Sequence, residues 1–245
     1  MQLFVCGSKE DIGEKVAALL IRQVQTKPNS VLGFATGRSP LETYDALAAA
    51  YAHGTVSFKD VVTFNLDEYC GLTKTDANSY YAFMQKNLFS RADFQEENIH
   101  FLDGCAADDN AVCEAYRAEI QAAGGIDIQL LGIGTNGHIG FNEPSDAFTD
   151  GPFLVTLSQS TKNANGKYFA DGSMPTHALT MGVGDILRAK KLIMIATGKS
   201  KAKAIAAMVN GPVTPQCPAS VLQTHRDVTV FLDAESAALL EGGIS

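Results

Sequence analysis

Short β-rich runs alternate with amphipathic helical patterns along nearly the whole chain, and this alternation restricts the fold more than any other feature. The runs are QLFVC (2–6), VLGFA (31–35), VVTFNL (61–66), IDIQLLG (126–132), LVTLS (154–158), KLIMIAT (191–197) and VTVFL (228–232). Helical patterns lie near 9–25, 40–52, 77–89, 107–122, 199–209 and 234–240. Strands separated by helices of this length build βαβ units. The expected class is therefore α/β: an open, mostly parallel, Rossmann-like sheet with helices on both faces. The unbroken apolar character of IDIQLLG and KLIMIAT fits strands buried on both sides. No Pro/Gly/Ser-rich linker and no internal repeat divides the 245 residues, so a single domain over 1–245 is expected.

Charge and cysteine usage narrow the partners. With 27 acidic against 19 basic residues the net charge is −8, which argues against a nucleic-acid surface. An anionic metabolite stays open, because a few lysines and backbone amides suffice for one phosphate. Cys6, Cys70, Cys105, Cys113 and Cys217 are scattered and form no CxxC, so reduced thiols are expected and no zinc ribbon. The start, MQLFVCGSKED, has neither a basic n-region nor a long apolar segment, and no apolar run approaches the roughly 20 residues of a membrane span. The expected location is the cytoplasm, without a membrane partner.

In open α/β sheets ligands bind beyond the carboxyl ends of the strands, so the residues after each run are the candidate site. After VLGFA comes TGRSPLETY (36–44). Ser39 and Pro40 suit the N-cap and N1 of a helix, and Glu42 completes a capping-box spacing. Thr36, Gly37, Ser39 and Arg38 would equally make a phosphate cradle at the positive end of that helix. After VVTFNL, the adjacent acids Asp67 and Glu68 suit proton abstraction, or else a solvated turn. After IDIQLLG the chain reads GTNGHIGFNEP (134–144), where Asn136, Asn142 and Glu143 stand close enough to orient His138 and set its tautomer. No second His or Cys stands at metal-ligand spacing, so no metal is expected. The Phe141–Pro144 stretch breaks any helix that a dinucleotide loop would need. After KLIMIAT, Lys199, Lys201 and Lys203 crowd a helix start, where cations oppose the dipole and call for an anion, or else make a solvated basic face. STKNANGKYF (160–169), with Thr161, Asn165 and Lys167, suits a lid or a pocket wall.

Together FATGRSPLETY, VTFNLDEYCGL, LLGIGTNGHIGFNEP, ALTMGVGDIL and ATGKSKA make the chain similar to the glucosamine-6-phosphate deaminase (isomerase) family over essentially its whole length. That resemblance implies cofactor-free conversion of D-glucosamine 6-phosphate and water to D-fructose 6-phosphate and ammonia. His138 matches the ring-opening position, Asn136 and Glu143 its orienting partners, and Asp67 the base that moves a proton from C2 to C1. Substrate contacts are implied for Thr36, Gly37, Ser39, Glu68, Gly137, Lys167 and Lys201, with the phosphate on Thr36, Gly37, Ser39, Lys167 and Lys201. Some members carry aspartate where this chain has Asn136, and arginine where it has Lys167. In allosteric members the segment comparable to 145–157 is basic and hydroxyl-rich; here it holds no Lys or Arg, and the chain ends soon after its final helical pattern. The resemblance therefore implies a non-allosteric monomer or small homo-oligomer. The nearest alternatives are a galactosamine-6-phosphate deaminase and a 6-phosphogluconolactonase, with a sugar-phosphate-sensing domain as the non-enzymatic one.

Overall fold

The computed structural model of the protein describes residues 1–166, 169 and 173–240. Ten strands and seven α-helices follow in chain order: β1 Gln2–Cys6, α1 Lys9–Thr26, β2 Val31–Phe34, α2 Leu41–Ala52, β3 Val62–Asn65, β4 Asp67–Tyr69, α3 Tyr80–Asn87, β5 Ile99–His100, α4 Asp109–Ala122, β6 Ile128–Gly132, β7 Phe153–Thr156, α5 Gln159–Asn165, β8 His177–Thr180, α6 Val183–Leu187, β9 Lys191–Ala196, α7 Ala202–Asn210 and β10 Val228–Asp233. Seven strands form one sheet in the order β1-β10-β9-β6-β2-β3-β5, and every pairing in it is parallel. The expected α/β class with a parallel sheet is what the chain adopts.

Side chains alternate across a strand with a period of two, and the central strands feed two cores accordingly. Leu131, Met194 and Val230 belong to the core under α4 and α7, while their neighbours Leu130, Ile193 and Phe231 join the core under α1 and α2. This is why IDIQLLG and KLIMIAT read as unbroken apolar runs. α1 starts where Ser8 accepts from the Asp11 amide, with Glu10 and Asp11 in its first turn complementing the dipole. Its residues Ile12, Val16, Leu20 and Val24 make one buried stripe.

Three expectations are corrected. The strand expected at 154–158 is β7, and it lies outside the parallel sheet, in a three-stranded antiparallel sheet ordered β4-β8-β7. The other edge strand of that sheet, β4, is the Asp-Glu-Tyr stretch itself, expected only as a strand end or turn. Residues 234–240 form turns closed by Ser236 over Asp233, not a helix. The small sheet is bound to the carboxyl edge of the large one through the Met181 amide, which donates to the Leu66 carbonyl at 2.8 Å. Among the described residues no helix is long and apolar enough to cross a membrane.

Candidate active site

A cavity of about 280 Å³ opens at the carboxyl ends of β2, β3 and β6, where an open α/β sheet places its ligands. Its wall includes Thr36, Gly37, Arg38 and Ser39 after β2, Asp67 after β3, and Gly134 and His138 after β6. Tyr80 from α3, Thr161 and Asn165 from α5, and Lys201 close the remaining sides. The topology thus gathers four separate strand-end segments around one volume the size of a small metabolite.

One end of the cavity is built for an anion. Gly37 holds φ at +95°, a left-handed conformation open to glycine, and turns the chain back toward α2. Among the described residues, no protein group accepts from the amides of Gly37, Arg38 and Ser39, and no carboxylate pairs with Arg38 or Lys201. Burial, reinforced by the Arg38 charge, lowers Lys201 below the ordinary lysine value. A dianion would relieve both effects.

Two expectations for this end are corrected. Ser39 does not cap the helix: α2 begins at Leu41, Pro40 holds the cap position, and no side chain bonds there. The Ser39 hydroxyl is thereby left to the cavity wall. The amides that open the segment after β9 are already taken. Gly198 N–H donates to Asp233 at 2.8 Å and Lys199 N–H to Glu235 at 3.1 Å. The segment therefore offers the cavity the Lys201 side chain, not the free helix terminus expected from its lysines. Lys167 lies outside the described residues.

The other end is built for proton transfer. Alternation along β4 sends Asp67 to the cavity and Glu68 to the opposite face. Glu68 does not line the cavity; its carboxylate accepts from the amides of Tyr69, Tyr80 and Tyr81 at 2.8, 2.9 and 2.9 Å. It is a fastener between β4 and α3. Asp67, 6% exposed, has no such partners among the described residues, and burial together with the Glu68 charge pushes it up to about 8. Burial with Tyr69 and Asp67 alongside pushes the Tyr80 phenol well above its ordinary value.

The β6 loop presents His138 by a close approach. A Cβ on Gly134 would fall 2.2 Å from His138 Cε1, so the ring lies directly over this glycine. Gly137 does not line the cavity; a Cβ there would meet Cys217 Sγ at 2.6 Å, on the supporting side of the loop. Nor do Asn136 and Glu143 line it; they stand behind the imidazole. Glu143 Oε2 is 3.4 Å from His138 Nδ1, an ion-pair separation without good hydrogen-bond geometry, and accepts from Asn136 Nδ2 at 2.6 Å. Burial works to raise Glu143, but His138, Ser158 and Asn136 outweigh it and bring the carboxyl down to about 2. Asn136 therefore acts on the carboxylate as a donor, a role aspartate cannot fill when ionised. Asn142 is a scaffold residue: its amide donates to the carbonyls of Ile139 and Met181.

Residues 8–231 match the family model of glucosamine-6-phosphate isomerases/6-phosphogluconolactonase. The chain belongs to this family. Within it the chain falls among the glucosamine-6-phosphate deaminases. It is 49% identical to the glucosamine-6-phosphate deaminase of Shewanella loihica, covering 98% of this chain and 90% of that one. The enzyme of that name from Lysinibacillus sphaericus is 49% identical, with 94% and 98% covered. Among solved structures, a monomeric glucosamine-6-phosphate deaminase superposes with a TM-score of 0.94 at 40% identity, covering 98% of this chain and 100% of that one. The 6-phosphogluconolactonase of Thermotoga maritima shares the fold, with a TM-score of 0.76 at 19% identity over 95% and 98% of the two chains.

Three wall residues carry no strand-end signal. Tyr80 reaches the cavity only because α3 is fastened to β4 through Glu68, a contact across 12 residues. Thr161 and Asn165 belong to the segment expected as a lid or wall, and the structure makes them wall.

Proposed function

We propose that the cavity carries out the isomerising deamination of D-glucosamine 6-phosphate to D-fructose 6-phosphate and ammonia, by acid–base chemistry of its own side chains and without a cofactor. The observation that supports this most is the pairing, in one cavity, of a buried carboxyl and a carboxylate-backed imidazole with two cations that have no carboxylate partner among the described residues. Arg38, Lys201, the hydroxyls of Thr36 and Ser39 and the loop amides take the phosphate. That anchors C6 and leaves the ring carbons between His138 and Asp67.

His138 moves a proton between the C1 hydroxyl and the ring oxygen, which opens the pyranose. Asp67, as carboxylate, takes the C2 proton; the electron pair left behind forms the C1–C2 double bond of an enolamine, while the π pair of the C1 carbonyl moves to O1, which takes a proton from the C2 ammonium. Return of that proton to C1 gives the imine at C2. Water adds to the imine carbon, the C–N bond breaks, and ammonia leaves with the ketose. A C2 ammonium beside Asp67 favours its ionised form, offsetting the burial that holds its proton in the free protein.

The same proposal makes the enzyme non-allosteric, cytoplasmic, and a monomer or small homo-oligomer. The monomeric relative supports the last point, and the five unpaired cysteines support a reducing compartment. A second cavity behind the β6 loop, of about 160 Å³, has the apolar residues Phe148, Phe153, Val155 and Pro215 and no cation in its wall, which supports the absence of an anionic effector.

The test is ammonia release coupled to fructose 6-phosphate detection, with glucosamine 6-phosphate, galactosamine 6-phosphate and 6-phosphogluconolactone compared side by side. Preferred turnover of the first, lost in Asp67→Asn, is expected. Preferred consumption of either other substrate overturns the assignment, and sigmoidal kinetics relieved by N-acetylglucosamine 6-phosphate overturns the non-allosteric part.

A further inference from the structure

The amino end of α5 is tied to the carboxylate that faces His138. Ser158 Oγ donates to Glu143 Oε1 at 2.7 Å, and Thr161 Oγ1 donates to the same oxygen at 2.9 Å. The other oxygen, Oε2, accepts from Asn136 and faces His138. Ser158 is also the N-cap of α5, accepting from the Thr161 amide at 3.2 Å. Thr161 is buried and lines the cavity, and one turn on, Asn165 donates to the Tyr69 hydroxyl at 3.0 Å. One helix end thus serves as cavity wall and as the anchor of the imidazole's partner.

We propose that Ser158 and Thr161 are positioning residues for the His138–Glu143 pair. Two hydroxyls on Oε1 hold the Glu143 side chain in one orientation and draw part of its charge away from the imidazole. Without them the carboxylate is free to turn about its last torsion, and more of its charge falls on His138. The other ionisable groups in the cavity wall are Asp67, Tyr80, Arg38 and Lys201, and all of them are retained when the hydroxyls are removed. The kinetic part of this inference rests on the deaminase reading; the electrostatic part does not.

Thr161→Val removes one donor and keeps the side-chain shape and the backbone cap. Ser158→Ala removes the other donor together with the cap, and Ser158→Thr retains both. The His138 ring, assigned by loss of its signal in His138→Gln, is titrated by imidazole NMR in each protein, and turnover of glucosamine 6-phosphate is measured alongside. The titration midpoint of His138 is expected to rise by about half a pH unit in Thr161→Val and further in the double variant. kcat is expected to fall about tenfold with KM changed less than threefold, because a displaced acid–base group costs rate more than binding. Ser158→Thr is expected to restore both quantities. A His138 midpoint unmoved by Thr161→Val and Ser158→Ala overturns the proposal. So does a rise in KM alone, which is what loss of a merely structural cap would produce. If the parent protein does not turn over the sugar, the deaminase reading fails by itself, and the NMR titration still decides the positioning role.

Discussion

Replacing Asp67 with asparagine isolates what the cavity costs the fold. The side chain is 6% exposed, and burial with the neighbouring Glu68 charge pushes its carboxyl up to about 8. In the unfolded chain it ionises near 3.8. Between those two values the unfolded state releases a proton that the folded state keeps. Each pH unit climbed therefore removes about 1.4 kcal/mol of folding stability. The loss begins near the lower value, amounts to about 4 kcal/mol at neutrality, and levels off at a ceiling of about 6 kcal/mol above pH 8, once the folded carboxyl ionises too. Water penetration and local relaxation reduce that ceiling, so a realistic expectation is roughly 1–4 kcal/mol. Asparagine has nearly the same shape and no titration. Urea unfolding of both proteins at about pH 5, 7 and 8, with m-values checked for constancy, reads the difference directly. The variant is expected to gain on the parent as pH rises, while its turnover disappears. Any fixed cost of burying the new amide shifts all three points equally, so the slope decides. A stability difference that stays flat with pH, or that moves toward the parent, refutes the electrostatic reasoning.

Glu68→Gln leaves three backbone amides facing a neutral group and is expected to lower stability by about 2 kcal/mol. It also removes the neighbouring charge, so the acid limb of kcat/KM attributed to Asp67 is expected to move to lower pH; a limb that stays put refutes the coupling. Glu143 is depressed to about 2, so its contribution is present above the unfolded value near 4.5 and is lost as pH falls from there. Glu143→Gln is accordingly expected to cost about 1–3 kcal/mol at neutral pH and almost nothing near pH 2, again by urea unfolding. Lys201→Ala is expected to raise KM at least about tenfold with a smaller change in kcat, since a phosphate contact remote from C1 and C2 binds ground and transition states alike. Gly134→Ala drives a methyl into the His138 ring and is expected to cut kcat about a hundredfold while the far-UV circular dichroism is unchanged.

The large sheet was legible because its strands obey a two-sided periodicity that few other structures produce. Adjacent residues such as Leu130 and Leu131 serve different cores, so the runs show no apolar–polar alternation and cannot be mistaken for a half-exposed strand. The small sheet was not legible. β4 is three residues long and two of them are acids, which looks like a turn until Ala178, Leu179 and Thr180 pair with it from more than a hundred residues away. The strand-end rule found Asp67, His138, Lys201 and the loop from Thr36 to Ser39. It could not place Glu68, because the alternation of a three-residue strand does not show which of its faces meets the cavity. Nor could it show that the opening amides of the segment at 198–201 are taken by Asp233 and Glu235, at and just beyond the carboxyl end of β10.

Asp67, Glu68 and Glu143 show how one functional group is given three behaviours by its surroundings. Burial raises Glu68 above its ordinary value, but three amide hydrogens oppose that rise and tie the side chain in place, so it can be a structural fastener. Glu143 is partly buried and receives hydroxyl and amide donors plus the imidazole, so it stays ionised far below neutrality. Asp67 is buried and receives nothing comparable, so its charge is disfavoured until something cationic arrives. The fastener also conditions the carboxyl proposed as the base: Glu68 secures β4 against α3 and adds the like charge that raises Asp67 further. Stabilising Asp67 with a donor of its own would relieve the fold, and by the same stroke would weaken it as a base. The cost to the fold and the capacity for proton abstraction therefore have one origin, the withheld hydrogen bond at β4, and neither can be removed by substitution without the other.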